Sequence, residues 1–318
     1  MRTKYTQDLL VAALIATSLA ASARAEEAAS GHYMPGMTAT FIDALPGKTG
    51  LVVADAFTYY DGKASGNRSI EFGGLVTANA HATVYADTIF GLYQTPFQLL
   101  GGSYAAGLAI PYIWMEVNGQ VQAGPVSRNV RDTANGIGDV TIYPFMLGWT
   151  NAMDLKYDLR LGIYAPTGPY DVGHLANTGR NYWTFEPGVS LSWLSTKIGT
   201  EISLFAGFDI STKNEATDYQ SGEVFHLDGT IAQHLPLFGG FAGVGANGFY
   251  YQQISGDSGS GAALGRFEGR TVGVGPVVSY AHKIGKVDFA AEVKWLPELD
   301  VEKRMKGDYV WVKVGLVF

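Results

Sequence analysis

Five segments of the chain alternate between apolar and polar side chains with a period of two. In 155–166, Leu155, Tyr157, Leu159, Leu161 and Ile163 share one face, and Lys156, Asp158, Arg160, Gly162 and Tyr164 share the other. Successive side chains of a β-strand point to opposite faces, so the segment is predicted to be a strand with one apolar and one charged side. In 184–194, Phe185, Val189, Leu191 and Trp193 oppose Thr184, Glu186, Ser190 and Ser192. In 201–211, Ile202, Leu204, Ala206, Phe208 and Ile210 oppose Glu201, Ser203, Gly207 and Asp209. In 286–296, Val287, Phe289, Ala291, Val293 and Trp295 oppose Lys286, Asp288, Glu292 and Lys294. The chain ends on Val310, Val312, Val314, Leu316 and Phe318, all on one face. These faces approach the roughly 9–11 residues of a membrane-spanning strand. They carry aromatic rings near their ends (Tyr157, Phe185, Trp193, Trp295, Phe318), as an interfacial girdle does. A soluble sandwich buries its apolar face against a second sheet. A closed barrel in lipid turns that face outward and keeps the polar face for its lumen.

The connections alternate in length. The stretches 297–308, 252–270, 211–223, 167–183, 118–138 and 61 to about 81 are long and polar. Those at 282–285, 235–240, 195–199, 150–154 and 94–100 are short. Bacterial barrels have short periplasmic turns, longer external loops and an even number of strands. The expectation is an all-β, transmembrane, antiparallel up-and-down barrel of about twelve strands over 51–318, with both termini facing the periplasm. Between Gly50 and Trp149 the segments are Gly-rich and alternate less cleanly.

The segments ahead of the barrel read differently. Arg2 and Lys4, the apolar run 9–20 and the Ala23-Arg24-Ala25 site make 1–25 a cleaved secretory signal. Residues 26–50 hold the breakers Pro35, Gly36, Pro46 and Gly47. They are expected to be either a plug inside the lumen or a periplasmic leader. No later segment reaches 18 apolar residues, so no spanning helix is expected.

Composition narrows the function. Of 318 residues only 16% are charged, the net charge is -7 and there is no cysteine. The acidic balance disfavours nucleic acid as a partner. The lack of cysteine removes disulfides, zinc–thiolate sites and thiol nucleophiles. Gly256-Asp257-Ser258-Gly259 matches the tetrapeptide around a trypsin-like serine, but no histidine segment accompanies it. Gly243-Val244-Gly245-Ala246-Asn247-Gly248 fits a dinucleotide fingerprint, but Phe249-Tyr250-Tyr251-Gln252 continues it as a strand, where a dinucleotide site needs a helix. The six histidines show no compact ligand spacing, so no metal and no cofactor are expected. His226 and Asp228, two apart on one strand, share the lumenal face. They are read as part of a lumenal hydrogen-bond network in preference to an acid–base pair.

Further landmarks are Gly31-His32-Tyr33-Met34-Pro35-Gly36, Gly136-Ile137-Gly138-Asp139 and Tyr164-Ala165-Pro166-Thr167-Gly168-Pro169-Tyr170. Others are Asn177-Thr178-Gly179-Arg180-Asn181-Tyr182-Trp183, Asp218-Tyr219-Gln220-Ser221-Gly222, Tyr251-Gln252-Gln253 with Gly256-Asp257-Ser258-Gly259, and Gly273-Val274-Gly275-Pro276. From Gly31 to Phe318 the chain resembles the outer-membrane proteins associated with phenol meta-pathway degradation, also called SphA-like. The resemblance implies a bacterial outer-membrane barrel for uptake of small hydrophobic or aromatic compounds.

The expected function is therefore passive transport rather than catalysis. The alternatives are a barrel enzyme acting on lipids and a structural barrel without transport. Candidate channel residues are Tyr164, Arg180, Asn181, Tyr182, Trp183, Glu186, His226 and Asp228. Rings supply stacking area for an aromatic solute, and Arg180 and Asn181 supply hydrogen bonds. Trp183 and Tyr182 can equally belong to an outer aromatic girdle. Expected partners are outer-membrane lipids, small aromatic solutes and, through Phe318, the barrel-assembly machinery.

Overall fold

A computed structural model describes residues 30–64, 69–123, 126–266 and 268–318. The expected signal segment 1–25 and residues 26–29 lie outside the described residues. The strands are β1 (Gly50–Lys63), β2 (Ser69–Phe72), β3 (Leu75–Leu99), β4 (Gly102–Ala123), β5 (Val126–Ile137), β6 (Val140–Thr150) and β7 (Leu155–Ala165). They continue with β8 (Thr184–Leu194), β9 (Thr200–Ser211), β10 (Val224–Leu237), β11 (Gly240–Gln253), β12 (Arg270–Ile284), β13 (Val287–Glu302) and β14 (Lys306–Val317). No described helix is long and apolar enough to cross a membrane.

Every ladder is antiparallel, and the sheet closes on itself. The first and last staves pair from Val52↔Val317 to Lys63↔Lys306, and the β3–β4 ladder joins the two ends of the remaining order. β2 prolongs the line of β1 along β3, and β5 prolongs the line of β6 along β4. The fourteen segments therefore make twelve staves, the number the sequence predicts.

Closure leaves the ring of staves without an edge, which hydrocarbon requires, and among the described strands only the extensions β2 and β5 are paired on one side. The side chains then sort by face. On β14, Tyr309, Trp311 and Lys313 are buried, while Val312, Val314 and the terminal Phe318 are exposed. At the short-turn end, Trp149 and Trp193 donate their indole N–H groups to turn carbonyls of Leu100 (3.1 Å) and Met153 (2.9 Å). Their rings stay at the boundary where an aromatic girdle belongs.

Three expected loops contain strand instead. β2 (Ser69–Phe72) and the start of β3 at Leu75 lie inside the expected loop 61 to about 81. β4 runs to Ala123 and β5 returns from Val126, inside the expected loop 118–138. β13 runs to Glu302 and β14 starts at Lys306, inside the expected loop 297–308. The last two hairpins project past the apolar band. The exposed charges there, Arg128, Arg131, Asp300 and Glu302, break no rule of strand formation and only end the alternation.

Candidate functional site

The lumen has two unlike walls and a strip of chain between them. The strip is residues 30–49, which run inside the ring ahead of β1. Its backbone is tied to inward side chains of many staves. Trp311 donates to the carbonyl of Pro35 (3.2 Å). Lys294 donates to those of Gly36 (2.9 Å) and Thr38 (3.3 Å). Lys313 donates to that of Met37 (2.8 Å) and pairs with Asp43 at 2.5 Å. The amide of Phe41 donates to Glu201 (2.7 Å), and that of Gly47 to Gln94 (3.1 Å). Asp228 accepts from the Tyr33 hydroxyl in a short hydrogen bond and from the amide of Gly36 (3.1 Å). Buried backbone groups need partners, and the wall supplies them as polar side chains, most of them charged.

On the other side of the strip lies a cavity of about 200 Å³. Its wall is the inward face of β3 and β4: Ala82, Val84, Ala86, Phe90, Ala109, Ile113 and Met115. Met34, Met37, Phe72, Leu175 and Met305 complete its apolar lining. Three rings stand at one end. His32 stacks on Tyr164 (centroids 4.9 Å apart, 19°) and meets Tyr182 edge-on (5.0 Å, 75°). Burial holds the His32 imidazole below its ordinary titration range, and the nearby Arg180 charge adds to this against the hydrogen bond to Asp139. A neutral ring fixes the bonding order. Nε2–H donates to Asp139 at 2.9 Å, and Nδ1 accepts from the Thr184 hydroxyl at 2.7 Å.

Asp139 is the knot of this end. Besides His32 it accepts from the backbone amides of Gly168 (2.9 Å) and Arg180 (2.8 Å). The latter two can reach one carboxylate because Gly168 and Gly179 touch. A Cβ on Gly179 would lie 2.2 Å from the Gly168 carbonyl oxygen. Four of the sequence landmarks (31–36, 136–139, 164–170 and 177–183) thus converge on one carboxylate. A second knot forms at Asp257, which accepts from Tyr219 (2.6 Å), the amide of Gly222 (2.9 Å) and Gln253. This gives the Gly256-Asp257-Ser258-Gly259 motif a loop-fastening role.

The structure separates the eight candidate residues into three places. Tyr164, Arg180 and Tyr182 line the cavity. Arg180 also donates to Ser30 at 2.8 Å. Trp183 points out of the barrel with 43% of its surface exposed, against 3% for Tyr182. Asn181 is not part of the cavity lining and donates to the buried Asn214 (2.7 Å). Glu186, His226 and Asp228 are buried on the charged wall. His226 stacks face to face on Tyr33, with centroids 3.6 Å apart. Tyr164 bridges the two groups by donating to Glu186 at 2.5 Å. The apolar wall of β3 and β4 was not singled out from sequence. Its signal was the run of Ala, Val and Gly that blurs the alternation there.

The family model described as "MetA-pathway of phenol degradation" matches residues 62–314. Among solved structures, the COG4313 outer membrane channel from Pseudomonas putida F1 superposes with a TM-score of 0.58. It is 15% identical, and the match covers 90% of this chain and 100% of that one. The beta domain of the Bordetella autotransporter BrkA gives a TM-score of 0.46 at 12% identity, covering 85% of this chain and 99% of that one. No curated protein matches the chain at a significant level. The fold is that of an outer-membrane β-barrel.

Proposed function

The chain belongs to the MetA-pathway phenol-degradation family, and we propose that it is an outer-membrane channel for passive uptake of small hydrophobic and aromatic compounds. The observation that carries this reading is the apolar cavity against β3 and β4, with three rings at one end. An apolar cavity of about 150 Å³ holds a benzene ring, so 200 Å³ suits a one-ring solute. The rings of His32, Tyr164 and Tyr182 offer it stacking faces. Residues 30–49 act as a plug on this reading: they occupy the lumen beside the cavity, and solute passes between plug and apolar wall. The bonding of His226 and Asp228 supports a non-catalytic role. Asp228 is taken up by Tyr33 and Gly36, and neither ring nitrogen of His226 has a hydrogen-bond partner. Phe318 is read as the assembly signal. It ends the last stave, is half exposed, and donates its amide to Leu51 beside the closing seam (2.9 Å).

Uptake of phenol at limiting concentration tests the channel. A deletion strain should take it up more slowly than its parent, and the wild-type gene should restore the rate. A three-ring hydrocarbon should show no difference between the strains. Equal phenol uptake with and without the protein would sink the reading.

A further inference from the structure

On the charged wall, three adjacent staves bring Glu186 of β8, Asp209 of β9 and His226 of β10 together. Their ligand-bearing atoms all lie within 4.8 Å of one another, and all three residues are buried. We propose that these three side chains form a binding site for a divalent transition-metal ion of the zinc class, inside the barrel.

The imidazole makes the first case. His226 is fully buried, and both of its ring nitrogens lack a hydrogen-bond partner. Buried polar groups are nearly always satisfied, so an orphaned imidazole asks for an explanation. Its Nε2 lies 3.5 Å from an oxygen of Glu186 and 3.5 Å from an oxygen of Asp209. That spacing is long for a hydrogen bond. It matches the edge of a tetrahedron: donors about 2.1 Å from a central zinc stand roughly 3.4 Å apart.

The charges make the second case. Glu186 and Asp209 both face the same imidazole nitrogen, and two buried carboxylates in that position carry charge that a bound divalent ion would offset. A divalent ion with two carboxylates and a neutral imidazole is electrically balanced. The set of one nitrogen and two oxygens suits zinc or its neighbours better than calcium, which prefers an all-oxygen shell.

The backbone makes the third case. A Cβ on Gly207 would stand 2.5 Å from Cε1 and 2.6 Å from Nε2 of His226, and 3.2 Å from an oxygen of Glu186. Only glycine on β9 lets the ring lie across that stave between the two carboxylates. The surrounding contacts resemble the outer shell that orients metal ligands. Tyr164 donates to the second oxygen of Glu186 at 2.5 Å, and Tyr33 stacks on the imidazole. Three protein ligands leave a fourth position for water or a solute donor. The sequence expectation of no metal rested on compact spacing, and these ligands come from three separate strands.

The test uses the untagged mature barrel, folded in detergent and stripped with a chelator. It is then loaded with Zn²⁺ or Co²⁺ and desalted. One ion per chain should remain, and Co²⁺ should give the visible bands of a four-coordinate site. Glu186→Gln and His226→Ala should lose the ion. Gly207→Ala should also lose it, although all three ligands are intact. Tyr164→Phe should weaken binding about 10- to 100-fold. His234→Gln, which alters a different buried His–Glu pair joined at 2.7 Å, should keep the ion. Retention of less than half an ion by the wild type overturns the proposal. So does retention unchanged in the Glu186→Gln and Gly207→Ala variants. If the variants fail to fold, the Co²⁺ spectrum of the wild type alone decides, and a six-coordinate spectrum counts against the site.

Discussion

Along β3 and β4 the inward positions are Ala82, Val84, Ala86, Ala109, Ile113 and Met115. Across the lumen, on β8 to β10 and β13 to β14, they are Glu186, Glu201, Asp209, His226, Asp228, Glu292, Lys294 and Lys313. Both walls use the same antiparallel ladder and the same outward apolar face. What differs is volume and bonding. Small apolar side chains leave space that no other group claims, and burying about 100 Å² of ring surface there is worth roughly 2.5 kcal/mol. The charged wall leaves less space, because Glu201, Asp228, Lys294 and Lys313 are bonded to the inner strip. A solute on that side would have to break buried hydrogen bonds, each costing about 1–3 kcal/mol to leave unmade. One wall therefore holds the strip, and on the proposed reading the other is left to the solute.

Removing a charge from the holding wall should have the largest effect. Lys294 is fully buried, pairs with Glu292 at 3.1 Å and donates to two carbonyls of the strip. Lys294→Ala leaves those groups bare, and stripping one partner from a buried pair costs about 3–5 kcal/mol. Denaturant unfolding of the refolded barrel should show a loss of that order. A loss below about 1 kcal/mol would mean that water reaches this wall and the contrast is overstated.

Filling the apolar wall should come next. Ala86→Phe places a ring in the cavity that β3 and β4 leave empty. Phenol uptake should fall about tenfold, while overpacking costs at most about 1–3 kcal/mol of stability. The amount of heat-modifiable barrel in the membrane serves as the control. Unchanged uptake with a filled cavity would place the solute route elsewhere.

A smaller effect sharpens the boundary between lumen and lipid. Tyr182 is buried beside His32 and Trp183 faces outward. Tyr182→Ala should lower uptake severalfold at constant barrel yield, and Trp183→Ala should leave uptake unchanged. The reverse ranking would assign the stacking role to the wrong ring.

The smallest effect is that of pH. Burial depresses the titration of His32 below its ordinary value of 6.5. A depressed histidine favours the folded state fully above 6.5 and loses that contribution as pH falls below it. Protonation would also turn Nδ1 from an acceptor into a donor, so the Thr184 hydroxyl would have to reverse its bond to the ring. Limited proteolysis of the 30–37 stretch should be slow at about pH 7.5 and faster at about pH 5. A His32→Gln variant should show no such pH difference.

The same contrast explains what the sequence disclosed. Staves such as β7, β8, β9 and β14 were legible because their two faces meet opposite media, lipid outside and charge inside. β3 and β4 were not, since Ala82, Val84, Ala86 and Ala109 make the inward face apolar too. The loss of alternation there marks the cavity wall itself. The hairpin extensions within 118–138 and 297–308 were illegible for a different reason: exposed charges such as Arg128, Arg131, Asp300 and Glu302 interrupt the apolar pattern. Of the candidate site residues, Tyr164, Arg180 and Tyr182 were found through their landmarks. Their meeting with Asp139 and His32 depends on contacts 41 and more than a hundred residues apart in the chain, which no local pattern records.

The inner strip lies at the start of the described chain, yet its partners come later. Gln94, Arg160, Glu201, Asp228, Lys294, Trp311 and Lys313 all succeed it, and the last two stand on the final stave. This imposes an order on assembly. Residues 30–49 emerge first and must wait, unsatisfied, until nearly the whole sheet exists. Because the first stave comes directly after the strip and pairs with the last, zipping that seam shuts the side entrance. After closure only the open ends of the barrel would admit the strip, so seating before or together with closure is the more direct order.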